Sequence, residues 1–297
     1  NNLVYQQFCN FLKKDKTNVK SLTEIPFLPI QFFKSHTILS SSEPIQQTFT
    51  SSGTTGIQTS KHLVTDVSWY EMSYRLGFSE FYGNIEDYCV LALLPSYLER
   101  EGSSLIYMVE DLIQSSNHED SGFYLNNYDE LISKLIELDD SGQNVILIGV
   151  TYALLDLIEK QKFQLKNTII METGGMKGKR KEMIREELHS LLCNGFGVSK
   201  IHSEYGMTEL LSQAYSLGDG IFECPPWMQI LVRDTEDALT YVSEGKTGGI
   251  NVIDLANINS CSFIATQDLG KKYPNHSFEV LGRFDNSDIR GCNLMIV

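Results

Sequence analysis

The chain is short of the features that most quickly assign a protein to a class. Its 297 residues include six cysteines, at 9, 89, 193, 224, 261 and 292, widely scattered and without a CxxC pair. That spacing fits neither a zinc site nor a disulfide framework, so reduced thiols in a cytoplasmic protein are expected. Positive charge is scarce too: 24 Lys and Arg stand against 38 Asp and Glu, a formal charge of −14. This excludes a broad nucleic-acid surface, which relies on clustered cations. It does not exclude ATP, which needs only a local cradle of backbone N–H groups and a metal ion. No apolar run approaches the roughly 20 residues that span a bilayer, and the N-terminus shows no signal-peptide pattern. Internal repeats and low-complexity linkers are also missing. What remains is 42% hydrophobic and 21% charged, the composition of a globular protein with a sizeable core.

Residues 1–35 read as a short helical segment (Leu3, Phe8, Phe11, Leu12) and an apolar stretch, 25–33, broken by Pro26 and Pro29. A polar run at 40–43 leads through a β-rich approach to a loop of small residues at 51–56. Helical periodicity follows over 64–82, where Trp69, Tyr70, Phe78 and Phe81 form a stripe read as core. Buried-strand runs at 88–94, 144–150 and 167–171 then alternate with helical segments at 103–115, 128–138, 151–161 and 178–193. This alternation predicts an α/β fold with much parallel sheet, whose ligands gather beyond the strand C-termini. From about residue 220 to 297 the texture changes to short strands, at 227–232, 249–255, 262–266 and 278–281. We expect one large domain over 1–297 with a β-rich subdomain at its end and no separate C-terminal domain.

Three constellations carry chemistry. The first is Thr48-Phe49-Thr50-Ser51-Ser52-Gly53-Thr54-Thr55-Gly56, where glycines permit tight turns and hydroxyls offer donors to phosphate oxygens. It lacks the Gly-Lys-Ser/Thr of a Walker loop, and the plain alternative is a polar surface linker. The second is Ser203-Glu204-Tyr205-Gly206-Met207-Thr208-Glu209. It sets an aromatic face before a hydroxyl and a carboxylate able to hold Mg²⁺; the alternative is a turn opening a helix, with Thr208 as cap and Glu209 in the first turn. The third joins Thr266-Gln267-Asp268-Leu269-Gly270 to Gly282-Arg283-Phe284-Asp285. Asp268 can accept from ribose hydroxyls and Arg283 can stabilise phosphate charge, or the two are capping and surface-pair residues.

Jointly and in this order, the three resemble the adenylate-forming superfamily of acyl-CoA synthetases, peptide-synthetase adenylation domains and firefly luciferase. The resemblance spans nearly the whole chain and implies that superfamily's large N-terminal region, with stacked β-sheets flanked by helices. It implies ATP phosphates held by Ser51, Ser52, Gly53, Thr54, Thr55 and Gly56, with Gly174, Gly175 and Met176 lining the adenine. Tyr205 and Gly206 would pack by the base, Thr208 would touch the α-phosphate, Glu209 would hold Mg²⁺, Asp268 the ribose, and Arg283 would lie near ribose and phosphate. The chain departs from the pattern at Ile57-Gln58-Thr59-Ser60, which stand where Pro-Lys is usual before Lys61. It also stops twelve residues after Asp285, before the small C-terminal domain with its catalytic lysine.

A narrower resemblance fits that ending. Residues 282–297, with Leu94-Pro-Ser-Tyr-Leu-Glu-Arg100 and Ser121-Gly-Phe-Tyr124, are similar to the acyl-protein synthetases of bacterial bioluminescence. In that family a long-chain fatty acid is activated as acyl-AMP, moved to an enzyme cysteine as a thioester, and passed to a reductase. The resemblance implies a fatty acid substrate, ATP and Mg²⁺, a reductase-like protein or acyl carrier as partner, and Cys292 as acyl acceptor; the alternative for Cys292 is a buried apolar cysteine, and Cys261, beside the strand leading to Asp268, is the second candidate. His62 and His202 lie near the motifs as polar or acid–base groups, or as structural residues. Tyr97, Tyr107, Met108 and Phe123 line an acyl tunnel or pack the core. The alternatives are an acyl-CoA ligase of the phenylacetate-CoA ligase type and a catalytically silent nucleotide-binding scaffold. A Ser-His-Asp hydrolase has no GxSxG elbow here.

Overall fold

A computed structural model describes residues 2–51, 59–95, 102–125, 127–174 and 183–283. The chain begins with α1 (Leu3–Phe11), β1 (Leu28–Pro29) and α2 (Phe32–Ser35), then a hairpin of β2 (Gln47–Thr50) and β3 (Lys61–Val64). Next come α3 (Ser68–Tyr82), β4 (Cys89–Leu93), α4 (Ser104–Ser116), β5 (Gly122–Phe123), α5 (Tyr128–Ser141), β6 (Val145–Gly149), α6 (Thr151–Lys160), β7 (Thr168–Glu172), α7 (Arg185–Phe196), β8 (His202–Tyr205) and β9 (Ala214–Ser216). The end is β-rich: β10 (Ile221–Phe222), β11 (Met228–Arg233), β12 (Gly248–Asp254), β13 (Phe263–Lys272) and β14 (Phe278–Arg283).

Two sheets carry the fold. One has the order β5-β4-β6-β7-β8-β9, parallel except for β9. Every residue of β4 and β6 is buried, as expected of strands covered by helices on both faces, and this is why they read as unbroken apolar runs. The other has the order β10-β14-β13-β12-β11, antiparallel, with β1 added in parallel beside β13. Along β13 burial alternates residue by residue, the period of a strand with one face on a core. Tyr70, Leu91, Leu147 and Phe196 belong to the first sheet's core, and Leu28, Ile230, Val252 and Phe278 to a second, smaller one. Tyr107 and Met108 pack with the first core, the packing alternative named for them; Tyr97 lies outside the described residues.

Local chemistry sets the element ends. The helix expected from residue 64 begins at Ser68, because Val64 pairs with Gln47 across the hairpin and Asp66 accepts from the Ser68 N–H at 3.1 Å. Ser103 caps α4 through a bond from the Ile106 N–H. Asn127 caps α5, which carries Asp129 and Glu130 in its first turn, where the helix dipole favours negative charge. Residues 175–182, which include the helix start expected at 178, lie outside the described residues; residues 183 and 184 are not helical and α7 runs from Arg185.

Candidate active site

The third and second constellations meet where the two sheets adjoin. Tyr205 is the last residue of β8, its ring packed edge-on against Phe222 and Phe278 with centroids 6.0 and 5.7 Å away. Its hydroxyl donates to Asp268 Oδ2 at 2.8 Å. Asp268 faces inward from β13 and also accepts from Arg283 Nε at 3.0 Å, its cross-strand partner on β14. A carboxylate offers about four acceptor positions, so these two bonds leave room for ligand hydroxyls. Asp268 is 7% exposed in its side chain and Arg283 62%, which puts a buried acceptor beside a cation open to solvent.

Beyond Tyr205 the chain forms a turn at Thr208 and Glu209 and runs irregularly into β9. The helix-opening alternative is therefore excluded. Leu211 and Ser212 give their N–H groups to Asp254 Oδ2, at 2.8 and 3.1 Å, instead of continuing a helical ladder. Glu209 is buried. Burial pushes its carboxyl above the ordinary value, against the pull of the Ser60 hydroxyl, Arg283 and Lys34. A desolvated carboxylate so weakly compensated suits a divalent cation, and Mg²⁺ takes as few as one protein carboxylate when phosphates and water complete its shell. Among the described residues no group of three or more His, Cys, Asp and Glu forms a metal cluster.

The first constellation approaches from the hairpin. Ser51 accepts at Oγ from the Ser60 N–H at 2.9 Å, and its own N–H donates to the Ser60 carbonyl at 3.1 Å. The loop between them thus leaves and re-enters at a pinned neck. Ser52, Gly53, Thr54, Thr55 and Gly56 lie outside the described residues, as do Gly175, Met176 and Cys292. Lys61 is exposed on β3 and pairs with Thr50.

Gly174 sits just past β7 with φ +75°, a conformation glycine adopts freely. Its N–H donates to Glu172 Oε2 at 2.7 Å, and Arg185 Nη1 lies 2.7 Å from Glu172 Oε1. Burial alone would raise the Glu172 carboxyl; His189 and Arg185 beside it, with the Gly174 N–H, bring it down to about 2. Glu204, pointing to the other side of β8 from Tyr205, is its opposite. Burial and the nearby Glu172 push its carboxyl up to about 8, and among the described residues it has no hydrogen-bond partner. A Cβ on Gly206 would come within 2.4 Å of Glu204 Oε1, so a larger residue there would make this carboxyl shift.

His62 and His202 are held in the neutral form at neutral pH. His62 is fully buried, and burial pushes its imidazole down to about 4. His202 is likewise lowered to about 4 by burial and Lys200. Cys261 is buried beside the Phe263 carbonyl, its thiol pushed up to about 12, the inert rather than the nucleophilic form. Sequence reasoning missed Ser60, Glu172, Arg185, Asp254 and Asn257. Glu172 had a signal, standing directly before Thr173-Gly174-Gly175; Asp254 and Asn257 had none, since only folding brings them to the 208–212 loop.

With this geometry in view, comparison with known proteins is decisive at the level of family. Over residues 1–297 the chain matches the family described as acyl-protein synthetase, LuxE. It belongs to that family. It is 23% identical to the long-chain-fatty-acid–luciferin-component ligase of Vibrio harveyi over 330 residues, covering 99% of this chain and 82% of that protein. Among solved structures, ATP-bound MatB from Rhodopseudomonas palustris is 18% identical with a TM-score of 0.58, over 82% of this chain and 49% of that one. An open conformation of 2-hydroxyisobutyryl-CoA ligase in complex with 2-HIB-AMP and CoA is 11% identical with a TM-score of 0.69, over 96% and 66%. The chain spans about half the length of the MatB structure. At these identities the likeness carries the fold alone, and this LuxE-family chain has the expected adenylate-forming N-terminal-type α/β fold. Among the described residues no helix is long and apolar enough to cross a membrane.

Proposed function

We propose that this LuxE-family chain activates a long-chain fatty acid with ATP, forming acyl-AMP, and then takes the acyl group onto Cys292. The supporting observation is the bonded set Tyr205–Asp268–Arg283, with distances of 2.8 and 3.0 Å, beside the buried Glu209. Residues far apart in sequence thus gather an aromatic ring, a buried carboxylate, an open guanidinium and a desolvated acid close together.

In this reading Asp268 accepts from the ribose hydroxyls while Tyr205 and Arg283 fix its orientation. The pinned neck at Ser51 and Ser60 carries the phosphate loop of residues 52–56, and Gly174 and Gly175 border the base. Glu209 would hold Mg²⁺, which supplies charge neutralisation for the phosphates when bound. A substrate carboxylate oxygen attacks the α-phosphorus; that O–P bond forms as the bond to the β-phosphate oxygen breaks, and pyrophosphate leaves. Thr208 and Arg283 stabilise charge on the α-phosphate, so the protein's work is positioning and electrostatics. The Cys292 thiolate then attacks the acyl carbonyl carbon, forming a thioester and releasing AMP. A reductase-like protein or acyl carrier receives the acyl group. Labelled fatty acid and ATP should leave a hydroxylamine-sensitive label on the protein. A free acyl-CoA product without labelled protein would favour a CoA ligase instead, and ATP binding without turnover a silent scaffold.

A further inference from the structure

The loop that bears Thr208 and Glu209 has no regular secondary structure, so its backbone must be held from outside. His62 on β3 is completely buried, with Nδ1 2.8 Å from the Thr208 carbonyl and Nε2 2.9 Å from Asn257 Oδ1. Asn257 Nδ2 in turn donates to the Glu209 carbonyl at 2.8 Å. Asn257 lies in the short 3-10 turn Leu255–Asn257, which Asp254 opens by accepting the Ala256 N–H at 3.1 Å. The same Asp254 holds the Leu211 and Ser212 N–H groups. One turn after β12 thereby grips the loop on its far side while β3, the strand leaving the 52–58 segment, grips it on the near side. Phe33 packs edge-on against the His62 ring at 5.6 Å, which fixes the ring plane.

We propose that His62 and Asn257 are positioning residues that register the Thr208–Glu209 backbone to the strand carrying the phosphate loop. This rests on the adenylating role proposed above. Both neighbours of the imidazole present oxygen, and the Thr208 carbonyl has no other hydrogen-bond partner among the described residues. A carbonyl only accepts, so the bond to Thr208 assigns the ring proton to Nδ1, while Asn257 meets the ring at Nε2 and spends its Nδ2 on the Glu209 carbonyl. The Nδ1 tie to Thr208 is therefore the one that the loop cannot replace. Losing it would let the reacting groups drift, and misplacement by about 1 Å can cost on the order of 100-fold in rate.

The chemistry of the amide side chains provides the test. Asparagine places its amide nitrogen close to the position of Nδ1, glutamine close to that of Nε2. His62→Asn and His62→Gln remove similar packing, but only the first keeps a donor for Thr208. Two readouts are taken on the full chain: fatty-acid-dependent ATP–pyrophosphate exchange, and native-state amide hydrogen exchange at Leu210, whose N–H closes the turn onto the Met207 carbonyl at 3.0 Å. His62→Gln should lower kcat about 10- to 100-fold with little change in KM for ATP, and speed Leu210 amide exchange at least about tenfold; His62→Asn should recover most of both. Asn257→Asp, which keeps the oxygen toward His62 but removes the N–H toward Glu209, should shift both readouts as His62→Gln does, and serves if that variant fails to fold. Equal behaviour of the Asn and Gln variants, or unchanged Leu210 protection in both His62→Gln and Asn257→Asp, overturns the proposal. If wild-type protein shows no pyrophosphate exchange, the adenylating role fails, and Leu210 protection still decides the clamp.

Discussion

Replacing Asp268 with asparagine separates a ligand-binding role from a structural one. The side chain keeps its size, but the amide has one acceptor oxygen where the carboxylate has two, and no charge. Tyr205's hydroxyl both donates and accepts, so it keeps a partner whichever way the amide turns. Arg283, 62% exposed in its side chain, falls back on water. The structural loss is therefore about 1 kcal/mol, since exposed ion pairs contribute little, and the melting temperature should fall by a few degrees at most. Binding should suffer more. Hydrogen bonds to a charged acceptor contribute about 1.5–3 kcal/mol each, so losing the better part of the ribose pair costs roughly 2–3 kcal/mol, about 30- to 150-fold in KM for ATP. The assay is pyrophosphate exchange with ATP, 2′-deoxy-ATP and 3′-deoxy-ATP on both proteins, as a double-mutant cycle. Wild type should discriminate against each deoxy nucleotide about tenfold or more, and Asp268→Asn much less. An unchanged KM, or equal discrimination by variant and wild type, would show that Asp268 does not hold the ribose.

Glu209→Gln should lower exchange about 100-fold while leaving thermal stability without Mg²⁺ unchanged or higher, because burial already disfavours the ionised carboxyl; unchanged exchange at limiting Mg²⁺ rejects the metal role. Glu204→Gln bears on pH. Unfolded, this carboxyl ionises near 4.5, and folded it holds its proton to about 8. The native state thus binds more protons through that window, and wild-type stability should fall across it as pH rises. The variant escapes that loss, so thermal melts from pH 5 to 8 should show it gaining on wild type, by up to a few kcal/mol near pH 8; a gap that stays constant with pH refutes the buried-acid assignment. Cys292→Ser should retain pyrophosphate exchange and lose the hydroxylamine-sensitive label, whereas label persisting on the variant places the acceptor elsewhere.

Most of the scaffold was legible because its elements obey simple periods. The strands at 89–93, 145–149 and 168–172 read as apolar runs since they are buried along nearly their whole length. The helices at 104–116 and 128–141 announce themselves with Ser103 and Asn127 caps. Less legible was the end of β3, where Val64 looks like the start of the helix expected over 64–82 until its pairing with β2 is known. Thr208 and Glu209 mimic a helix start for the same reason: nothing local tells that Asp254, more than forty residues on, takes the N–H groups of Leu211 and Ser212. Of the candidate site, the three motifs carried Tyr205, Glu209, Asp268 and Arg283 because each residue's chemistry is visible in its type. Of the supports, His62 stood out only for its nearness to the motifs, and Asn257 and Asp254 were hidden, because they act on backbone atoms and backbone atoms leave no mark in the sequence.

Acid-dependent ATP–pyrophosphate exchange, run on purified protein across a panel of short, long-chain and aromatic carboxylic acids with and without Mg²⁺, decides whether the bonded set at Tyr205, Asp268 and Arg283 serves adenylation. Exchange should require both Mg²⁺ and an acid, and should be strongest with long-chain fatty acids. Folded, ATP-binding protein that exchanges pyrophosphate with none of them would contradict the proposed activity.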